Sequence, residues 1–376
     1  MARKKKVCFV LPSLSGGGAE RVAVHVLNAL DPLVWDRSMY LFRREGPYLD
    51  AVDGSIALSS GAGGSRLGRW LALRRFFVET RPDLIVAFLS YLSVQSAASA
   101  ARIGARVIFD QGTPISAFLH DPDYHWRLPW HRRTFSWASR LGYRRADAVV
   151  ATSTGVAEDL VAKFGVAADR IHVVPNPIDL HAIARASNEA IDPAYEAALA
   201  SPVIVAAGRL ADVKNYPLLI EAIAVLRARV PVRLLILGSG GLESSLRALV
   251  SQKQLNHAVT FAGFQSNPWK YIARADVFAL SSRYEGFGNV LVEAMACGVP
   301  VVATSSPGTR DIVSVGLDGL LVDRHEPEEL AAALARVLED SQLRARMAAE
   351  ARRSATRFAL PVIANVYDGV FRKVLA

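Results

Sequence analysis

Cysteine is scarce in this sequence, and long hydrophobic runs are absent. The 376 residues include two cysteines, Cys8 and Cys297, and so few thiols imply no disulfide framework. No stretch reaches the roughly 20 uninterrupted apolar residues that a membrane-spanning helix needs. The basic amino terminus runs straight into a predicted strand at residues 7–11, which is not the pattern of a secretory leader. We therefore expect a protein of the reducing cytoplasm.

Acidic residues are in short supply in one half of the chain. Residues 1–175 contain 23 Lys and Arg against 15 Asp and Glu, whereas residues 176–376 contain 21 against 20. Most of the formal net charge of +9 thus belongs to the first half. This asymmetry indicates an anionic partner, either membrane lipid, a diphosphate ligand or nucleic acid. A basic surface that is simply solvated is the alternative.

Short runs rich in β-branched residues alternate with helical patterns in both halves of the chain. In the first half, strands are predicted at residues 7–11, 84–89, 106–110, 147–153 and 171–175. In the second half, they are predicted at residues 203–207, 234–237, 259–262, 276–280 and 301–304. Such alternation predicts an α/β protein with two doubly wound, mostly parallel sheets. A crevice between the two domains, at the carboxyl ends of the strands, is the expected ligand site.

The domain boundary is predicted where the strand signal stops. Residues 180–200 are polar and rich in alanine, which is typical of a linker or a helix. We therefore predict an amino-terminal Rossmann-like domain at residues 1–178, a linker at 179–200 and a second Rossmann-like domain at 201–356. The apolar positions of residues 357–376 recur at helical spacing, which predicts a last helix that packs back on the amino-terminal domain.

Three consecutive glycines, Gly16, Gly17 and Gly18, follow the first predicted strand and precede a predicted helix. Glycine lets the backbone approach a ligand closely, and a helix amino terminus presents unpaired N–H groups and the positive end of a dipole. The loop therefore suits an anion such as a diphosphate. It is neither the spaced dinucleotide-binding fingerprint nor a P-loop, and a tight structural turn is the alternative.

A second glycine loop begins the other domain with Gly208 and Arg209 and ends with Lys214 and Asn215. Its two cations would neutralise a diphosphate leaving group as the negative charge develops. Arginine can grip a phosphate with two hydrogen bonds, and lysine acts as a point charge. An exposed, solvated basic loop is the alternative.

A third segment contains two glutamates, Glu285 and Glu293, around a glycine turn. Glu293 lies four residues after Asn289 and therefore on the same face of a predicted helix. A carboxylate in that position can accept hydrogen bonds from vicinal ribose hydroxyls, and Glu285 on the turn would point at a sugar. For Glu293 alone, an ordinary helix-surface acid is the alternative.

Residues 285–301, Glu-Gly-Phe-Gly-Asn-Val-Leu-Val-Glu-Ala-Met-Ala-Cys-Gly-Val-Pro-Val, closely resemble the signature of family 4 retaining glycosyltransferases. Gly-Gly-Gly-Ala-Glu-Arg-Val at 16–22, Val-Pro-Asn-Pro-Ile-Asp at 174–179 and Leu-Gly-Ser-Gly-Gly at 237–241 extend the resemblance over nearly the whole chain. It implies the GT-B fold, with two facing Rossmann-like doubly wound domains and a cleft between them. The opening loop and Lys214-Asn215 look most like bacterial lipid-linked hexose and N-acetylhexosamine transferases.

The resemblance implies the retaining transfer of a hexose or N-acetylhexosamine from a nucleotide-diphosphate sugar, with a UDP-sugar favoured. The acceptor would be a lipid-linked or membrane-associated glycan in cell-surface polysaccharide or glycoconjugate synthesis. The donor phosphate would itself help to deprotonate the acceptor hydroxyl. No metal or other cofactor is expected. Asp121-Pro-Asp123 mimics the metal-binding Asp-x-Asp pattern of another transferase fold, but two acids without further ligands make a weak metal site.

The resemblance also implies a role for individual residues. Arg209 and Lys214 would hold the donor diphosphate, Glu285 the transferred sugar and Glu293 the ribose. Gly16 and Gly17 would close over the diphosphate or the acceptor, and Gly18 would also bind the substrate. Further substrate contacts, many of them through the main chain, are implied for Gly208, Asn215, Gly238, Gly286, Phe287, Gly288, Asn289, Val290 and Leu291.

One residue of the pattern is missing. Many members of the family have a histidine just after the strand that ends here at Asp110, and this chain has Asp110 followed by Gln111. Asp110, as a catalytic residue, or Gln111, as a binding residue, could orient the sugar instead. His120 is a weaker candidate, because a lone loop histidine is usually a surface residue.

Basic and aromatic residues are interleaved in Arg66–Phe77 and in residues 118–145, which suits the headgroup layer of an anionic membrane. We expect peripheral docking on the inner face of the cytoplasmic membrane, and burial of these aromatics in the core is the alternative. Two other functions stay open. A GT-B sugar-nucleotide epimerase would need its own acid and base residues, and nucleic-acid binding lacks a recognised motif.

Overall fold

The computed structural model of the chain describes residues 3–61, 65–88, 90–100, 102–120, 129–200 and 202–376. Its strands are β1 (Lys5–Leu11), β2 (Trp35–Leu41), β3 (Ala57–Ser60), β4 (Leu84–Phe88), β5 (Arg106–Gln111), β6 (Ala148–Ala151), β7 (Ile171–Val173), β8 (Val203–Ala207), β9 (Arg233–Leu237), β10 (Val259–Phe261), β11 (Val277–Leu280), β12 (Val301–Thr304) and β13 (Gly319–Val322).

Helices connect most of these strands. They are α1 (Gly18–Ala29), α2 (Arg66–Thr80), α3 (Ser90–Ala100), α4 (Ile115–His120), α5 (Pro129–Tyr143), α6 (Thr154–Phe164), α7 (Leu180–Ala186), α8 (Tyr216–Leu226), α9 (Glu243–Gln252), α10 (Trp269–Ile272), α11 (Asn289–Ala296), α12 (Pro307–Arg310), α13 (Pro327–Glu339), α14 (Ser341–Ala355) and α15 (Leu360–Leu375). Within the described residues, no helix is both long and apolar enough to cross a membrane.

The first of two compact units comprises the described residues up to Pro177 together with Leu360–Ala376. Its parallel sheet has the strand order β3-β2-β1-β4-β5-β6-β7. Helices α1 and α15 pack on one face of the sheet. Helices α2, α3, α5 and α6 pack on the other face. The last helix of the chain therefore belongs to the core of the first unit.

The second unit, Ile178–Ala359, has a parallel sheet of order β10-β9-β8-β11-β12-β13. Helices α8, α9 and α13 cover one face, and α7, α10 and α11 cover the other. Residues 179–200, predicted as a linker, form α7 and two short 3-10 turns in this unit. Both sheets are doubly wound and Rossmann-like, which confirms the predicted fold class.

Strand β1 shows why the apolar runs become central parallel strands. Val7, Phe9 and Leu11 pack against α1 and α15 on one face of the sheet, while Cys8 and Val10 pack against the helices of the opposite face. Side chains alternate between the two faces of a strand. Because helices cover both faces, both sets are buried, and the strand reads as a continuous apolar run.

Strands β2, β3 and β13 were missing from the predicted pattern. In β2 the apolar run is broken by Arg37, a residue that is 6% exposed. Its guanidinium donates to the carbonyls of Leu27, Asn28 and Leu30 at 3.3, 2.9 and 3.2 Å, so it caps the carboxyl end of α1. A cation at this end of a helix is also favoured by the helix dipole. The charged residue that breaks the apolar pattern of β2 thus caps the neighbouring helix α1.

Candidate functional site

In the second unit, two glycine loops at the carboxyl ends of β8 and β9 lie in backbone contact. Gly238 has a φ of +138°, and a Cβ on it would come within 2.0 Å of the carbonyl oxygen of Gly208. The Gly208 N–H donates to the carbonyl of Leu237 at 2.9 Å. Glycine at position 238 is therefore required both by its backbone conformation and by the close approach. The contact fixes the start of the loop that carries the predicted cations.

Lys214 and Glu285 form a direct ion pair. The lysine Nζ lies 2.6 Å from Glu285 Oε1, and the two side chains are 21% and 12% exposed. The sequence assigned them to different ligand groups, the diphosphate and the sugar, and did not place them in contact. The structure therefore brings a cation and a carboxylate together at one point of the second unit.

The environment of Glu285 leaves one carboxylate oxygen open. Ser282 Oγ donates to Oε1 at 2.6 Å, so this oxygen already accepts two hydrogen bonds. Within the described chain, Oε2 has no hydrogen-bond partner. Burial, together with the nearby Glu285 charge, raises the pKa of Tyr216, whose hydroxyl donates to Gly208 O at 3.1 Å. The site thus offers one unengaged acceptor beside a buried, neutral phenol.

The loop between β8 and α8 is tied to the loop that carries Glu285. Ser281 Oγ donates to the carbonyl of Lys214 at 2.9 Å, and the Arg283 N–H donates to the carbonyl of Val213 at 2.8 Å. Asn215 is 6% exposed, has a φ of +48° and precedes the first turn of α8. Asparagine tolerates this left-handed conformation better than most residues. Its backbone conformation therefore makes the turn from the loop into α8.

Arg209 differs from Lys214 because its side chain has no partner among the residues that the structure describes. Its side chain is exposed, and no hydrogen bond or ion pair joins it to another residue that the structure describes. A guanidinium in this state can turn towards an incoming anion without first breaking a contact. Of the two predicted diphosphate ligands, Arg209 can thus bind an anion directly, whereas Lys214 is already paired with Glu285.

The turn from Gly286 to Leu291 leads into α11. Gly288 has a φ of +95° and caps the helix without any side-chain hydrogen bond, so main-chain N–H groups of the first turn have no side-chain cap and suit an anion. Phe287 is 2% exposed and packs edge-on against Phe358 at 5.3 Å. Leu291 is fully buried. The predicted contacts of these two residues with a substrate can therefore involve only the main chain.

Glu293, one turn further along α11, is held by a residue that the sequence did not indicate. Trp269 Nε1 donates to Glu293 Oε2 at 3.0 Å, and Glu293 is 5% exposed. Burial and the charge of Glu293 raise the pKa of the neighbouring Cys297 thiol to about 12. Glu293 is thus a fixed, buried carboxylate and not a solvated surface acid.

The glycine loop of the first unit already contains a negative charge. Gly17 caps α1 without a side-chain hydrogen bond, and the Glu20 carboxylate folds back so that a Cβ on Gly17 would lie 2.1 Å from Glu20 Oε2. An acid in the first turn is stabilised by the helix dipole. An anion bound at Gly16, Gly17 and Gly18 would therefore compete with Glu20.

The two residues that replace the expected histidine are both buried at the end of β5. Asp110 is 4% exposed, and its Oδ2 accepts a hydrogen bond from Tyr367 of α15 at 2.7 Å. Burial raises the pKa of Asp110 to about 7, although the Tyr367 hydrogen bond opposes the shift. Gln111 is 5% exposed and accepts from Tyr143 of α5. Each residue is thus hydrogen-bonded to a tyrosine, and the two tyrosines come from helices on opposite faces of the sheet.

The remaining sequence-based candidates are the Asp121-Pro-Asp123 pattern, considered for metal, and His120, considered for orienting the sugar. Asp121 and Asp123 lie outside the described residues, as does the side chain of His120. Among the side chains that the structure does describe, no group of three or more His, Cys, Asp or Glu could hold a metal ion. Metal independence stays a prediction.

Two family models match most of the chain between them. The model "Glycosyltransferase Family 4" matches residues 16–182, and "Glycosyl transferases group 1" matches residues 187–354. Anabaena HepE, whose structure was solved with UDP and glucose, superimposes with a TM-score of 0.81 at 23% identity, covering 98% of this chain and 100% of HepE. Two Rossmann-like units of this kind define a GT-B glycosyltransferase fold. The chain belongs to the glycosyltransferase family that these two models describe, as its motifs predicted.

Curated relatives cover different amounts of the chain. The N-acetylgalactosamine-N,N'-diacetylbacillosaminyl-diphospho-undecaprenol 4-alpha-N-acetylgalactosaminyltransferase of Campylobacter jejuni is 38% identical over 205 residues, which is 54% of each protein. The alignment thus spans about half the length of that relative. The lipopolysaccharide core biosynthesis glycosyltransferase LpsE of Rhizobium meliloti is 28% identical over 341 residues, or 88% of each protein.

Proposed function

We propose that this protein is a retaining glycosyltransferase that moves a hexose or N-acetylhexosamine from a UDP-sugar to a lipid-linked or membrane-associated glycan. The reaction would belong to cell-surface polysaccharide or glycoconjugate synthesis. The observation that carries the proposal is the Lys214–Glu285 ion pair, which presents a cation and an open carboxylate oxygen at one point. The two relatives above are named for transfer to an undecaprenol-linked glycan and to a lipopolysaccharide core.

In this proposal, Arg209, Lys214 and the first N–H groups of α11 stabilise the donor diphosphate. Negative charge grows on the diphosphate as the bond to the sugar breaks, and donors that are already in place cost no reorganisation at that moment. The Lys214 ammonium group has three N–H donors and uses one of them for Glu285, so the other two are left for the diphosphate. Leaving-group stabilisation is therefore its main contribution.

Glu285 accepts a hydrogen bond from a hydroxyl of the transferred sugar through Oε2. Its other oxygen is fixed by Lys214 and Ser282, so the carboxylate cannot swing away when the sugar enters. Glu293 accepts from the ribose hydroxyls while Trp269 holds its carboxylate in place. Positioning of this kind contributes a large part of the rate in reactions without a protein nucleophile.

In this proposal, Asp110 and Gln111 hold the carboxyl end of β5 in place. Each is at most 5% exposed and hydrogen-bonded to a tyrosine. We assign them the positioning of the β5 end, which in turn shapes the loop that follows. No metal is required in this scheme, and a lipid-linked acceptor would place the protein on the inner face of the cytoplasmic membrane.

A panel of UDP-, GDP- and ADP-sugars tests the proposal, with binding measured by calorimetry and turnover by release of the nucleoside diphosphate. The variants Lys214→Ala and Glu293→Ala should both weaken UDP-sugar binding. The double variant R336Q/R346Q removes two exposed cations of the second unit that have no partner among the described residues, and it should bind as the wild type does. Failure to bind any sugar nucleotide would rule out the transferase. Conversion of the sugar without release of UDP would point to an epimerase.

A further inference from the structure

One face of the first unit is formed by a layer of helices. Helices α2, α3, α5 and α6 all pack on the same side of the sheet, in a core that includes Leu73, Phe77, Tyr143 and Leu160. Within the layer, α3 lies between α2 and α5 and contacts both. Residues of these helices that point away from the core therefore share one side of the unit.

Helix α5 separates its residues sharply between its two sides. The side towards the unit consists of small or buried residues, Ser139, Gly142 and Tyr143. The opposite side presents exposed residues at the i, i+4, i+7, i+8 spacing of a single helical face, namely Arg133, Trp137, Arg140 and Leu141. Arg132, near the start of the helix, is also exposed. No Asp or Glu occurs between Pro129 and Tyr143, so this face carries positive charge alone.

The cations of α5 surround a shallow depression. Leu119 of α4 and five residues of α5 enclose about 300 Å³ there; the α5 residues are Arg132, Arg133, Ser136, Trp137 and Arg140. Arg132 and Arg133 have no hydrogen-bond or ion-pair partner among the described residues. Arg140 donates through Nε to the carbonyl of Lys163 at 3.1 Å. Two guanidinium groups without a partner in the described part of the chain thus border a depression that the Trp137 indole also lines.

Large apolar side chains are exposed along the same layer. Trp137 is 68% exposed, and on α2 Leu67, Leu71 and Val78 are 65%, 51% and 50% exposed. Leu67 and Leu71 are one helical turn apart and therefore adjacent on the surface of α2. Single exposed apolar residues are ordinary, but several on one side of a unit indicate a contact surface.

We propose that the outer side of this helical layer docks on an anionic phospholipid bilayer. Arg132 and Arg133 would contact the lipid phosphates, while Trp137 and the α2 residues Leu67 and Leu71 would enter the boundary between headgroups and acyl chains. Aliphatic side chains gain free energy by such burial and gain nothing from the phosphates of a nucleic acid. This combination therefore favours a lipid surface over a polynucleotide. The proposal does not depend on the transferase reaction, because its test uses no donor or acceptor.

The test is sedimentation of the full-length protein with vesicles. Phosphatidylglycerol mixed with phosphatidylcholine is compared with phosphatidylcholine alone, at low and at high salt. The wild type should bind the anionic vesicles and should dissociate partly as salt screens the charges. It should bind the neutral vesicles weakly, through the apolar residues only.

Two variants distinguish the contribution of the cations to vesicle binding from that of the inserted apolar residues. R132Q/R133Q should lower partitioning to anionic vesicles by about 25-fold, because each cation near an anionic surface contributes about a factor of five. Trp137→Ser should lower partitioning to both kinds of vesicle. R336Q/R346Q makes the same charge change on exposed residues of the second unit, and it should bind like the wild type. Circular dichroism and thermal midpoints confirm that each variant is folded.

Three outcomes would overturn the proposal. Equal loss in R132Q/R133Q and in R336Q/R346Q would mean that only net charge matters. Absence of binding to anionic vesicles by the folded wild type would exclude the surface directly. Salt-sensitive binding to duplex DNA that is lost in R132Q/R133Q, without vesicle binding, would assign the cations to nucleic acid.

Discussion

The two units differ in the burial and pairing of their polar site residues. In the second unit, three of the four charged residues predicted for the site are engaged by another side chain: Lys214 and Glu285 pair with each other, and Glu293 accepts from Trp269. In the first unit, the polar residues at the end of β5 are buried under tyrosines, and exposed cations such as Arg132, which has no partner among the described residues, lie on α5. The difference supports our proposals that the second unit binds the donor and that the first unit presents a docking surface.

This comparison predicts that substitutions in the second unit change activity more than stability. The largest effect is expected for Lys214→Ala, because it removes a cation from the leaving group and leaves the Glu285 carboxylate unpaired. We expect kcat/KM for the UDP-sugar to fall by about 100-fold to 1,000-fold, the usual range for one electrostatic contact in a transition state. Steady-state kinetics measure it, and R336Q/R346Q is the control. A kcat/KM equal to that of the wild type would remove Lys214 from the mechanism.

The second prediction concerns the hydrogen bond between Trp269 and Glu293. Trp269→Phe keeps an aromatic ring and removes the N–H donor, so the carboxylate loses its fixed orientation. Because a hydrogen bond to a charged group contributes about 1.5 kcal/mol or more, UDP binding should weaken by about tenfold. Inorganic pyrophosphate binding should stay the same, since it has no ribose. Equal weakening for both ligands would contradict a ribose-specific role.

The third prediction moves to the first unit and concerns pH. Burial raises the pKa of Asp110 from 3.8 to about 7, so between these values the folded protein binds a proton that the unfolded chain has released. The free energy of unfolding should therefore fall as pH rises through that window and level off above about pH 7. Asp110→Asn has no carboxyl to ionise, so it should lack this contribution. Thermal midpoints of both proteins across the window measure it, and parallel curves would contradict the assignment.

The smallest effect is expected at Gln111. Tyr143→Phe removes the hydroxyl that donates to Gln111 and leaves the ring against Phe109, 5.0 Å away. The unfolding free energy should fall by about 1 kcal/mol, the usual net value of one hydrogen bond. Urea unfolding measures this value. If donor turnover fell by a larger factor than the loss of unfolding free energy explains, Gln111 would act on the substrate directly. The contrast between the two units would then be weakened.

The sequence predicted the two doubly wound sheets because their central strands are apolar on both faces, as in β1. It failed at β2, where Arg37 interrupts the apolar run to cap a helix. It identified Lys214 and Glu285 separately but not their contact, because 71 residues separate them and their meeting depends on the order of β8 and β11 in the sheet.

Trp269, Tyr143 and Tyr367 gave no usable signal. Each acts through one hydrogen bond to a distant residue, and an isolated aromatic residue in a sequence is most often part of a core. The cationic face of α5 was visible as composition, but only the structure separates its outward arginines from its inward serine and tyrosine.

The central claim is that the donor binds on the second unit around the Lys214–Glu285 pair. Amide hydrogen exchange of the full-length protein, with and without UDP, tests it most directly. We predict that UDP slows exchange in the loop from Gly208 to Lys214 and in the first turn of α11, with no comparable change at Gly16 to Gly18. Protection confined to the glycine loop of the first unit, or no protection in the second unit at saturating UDP, would contradict the account.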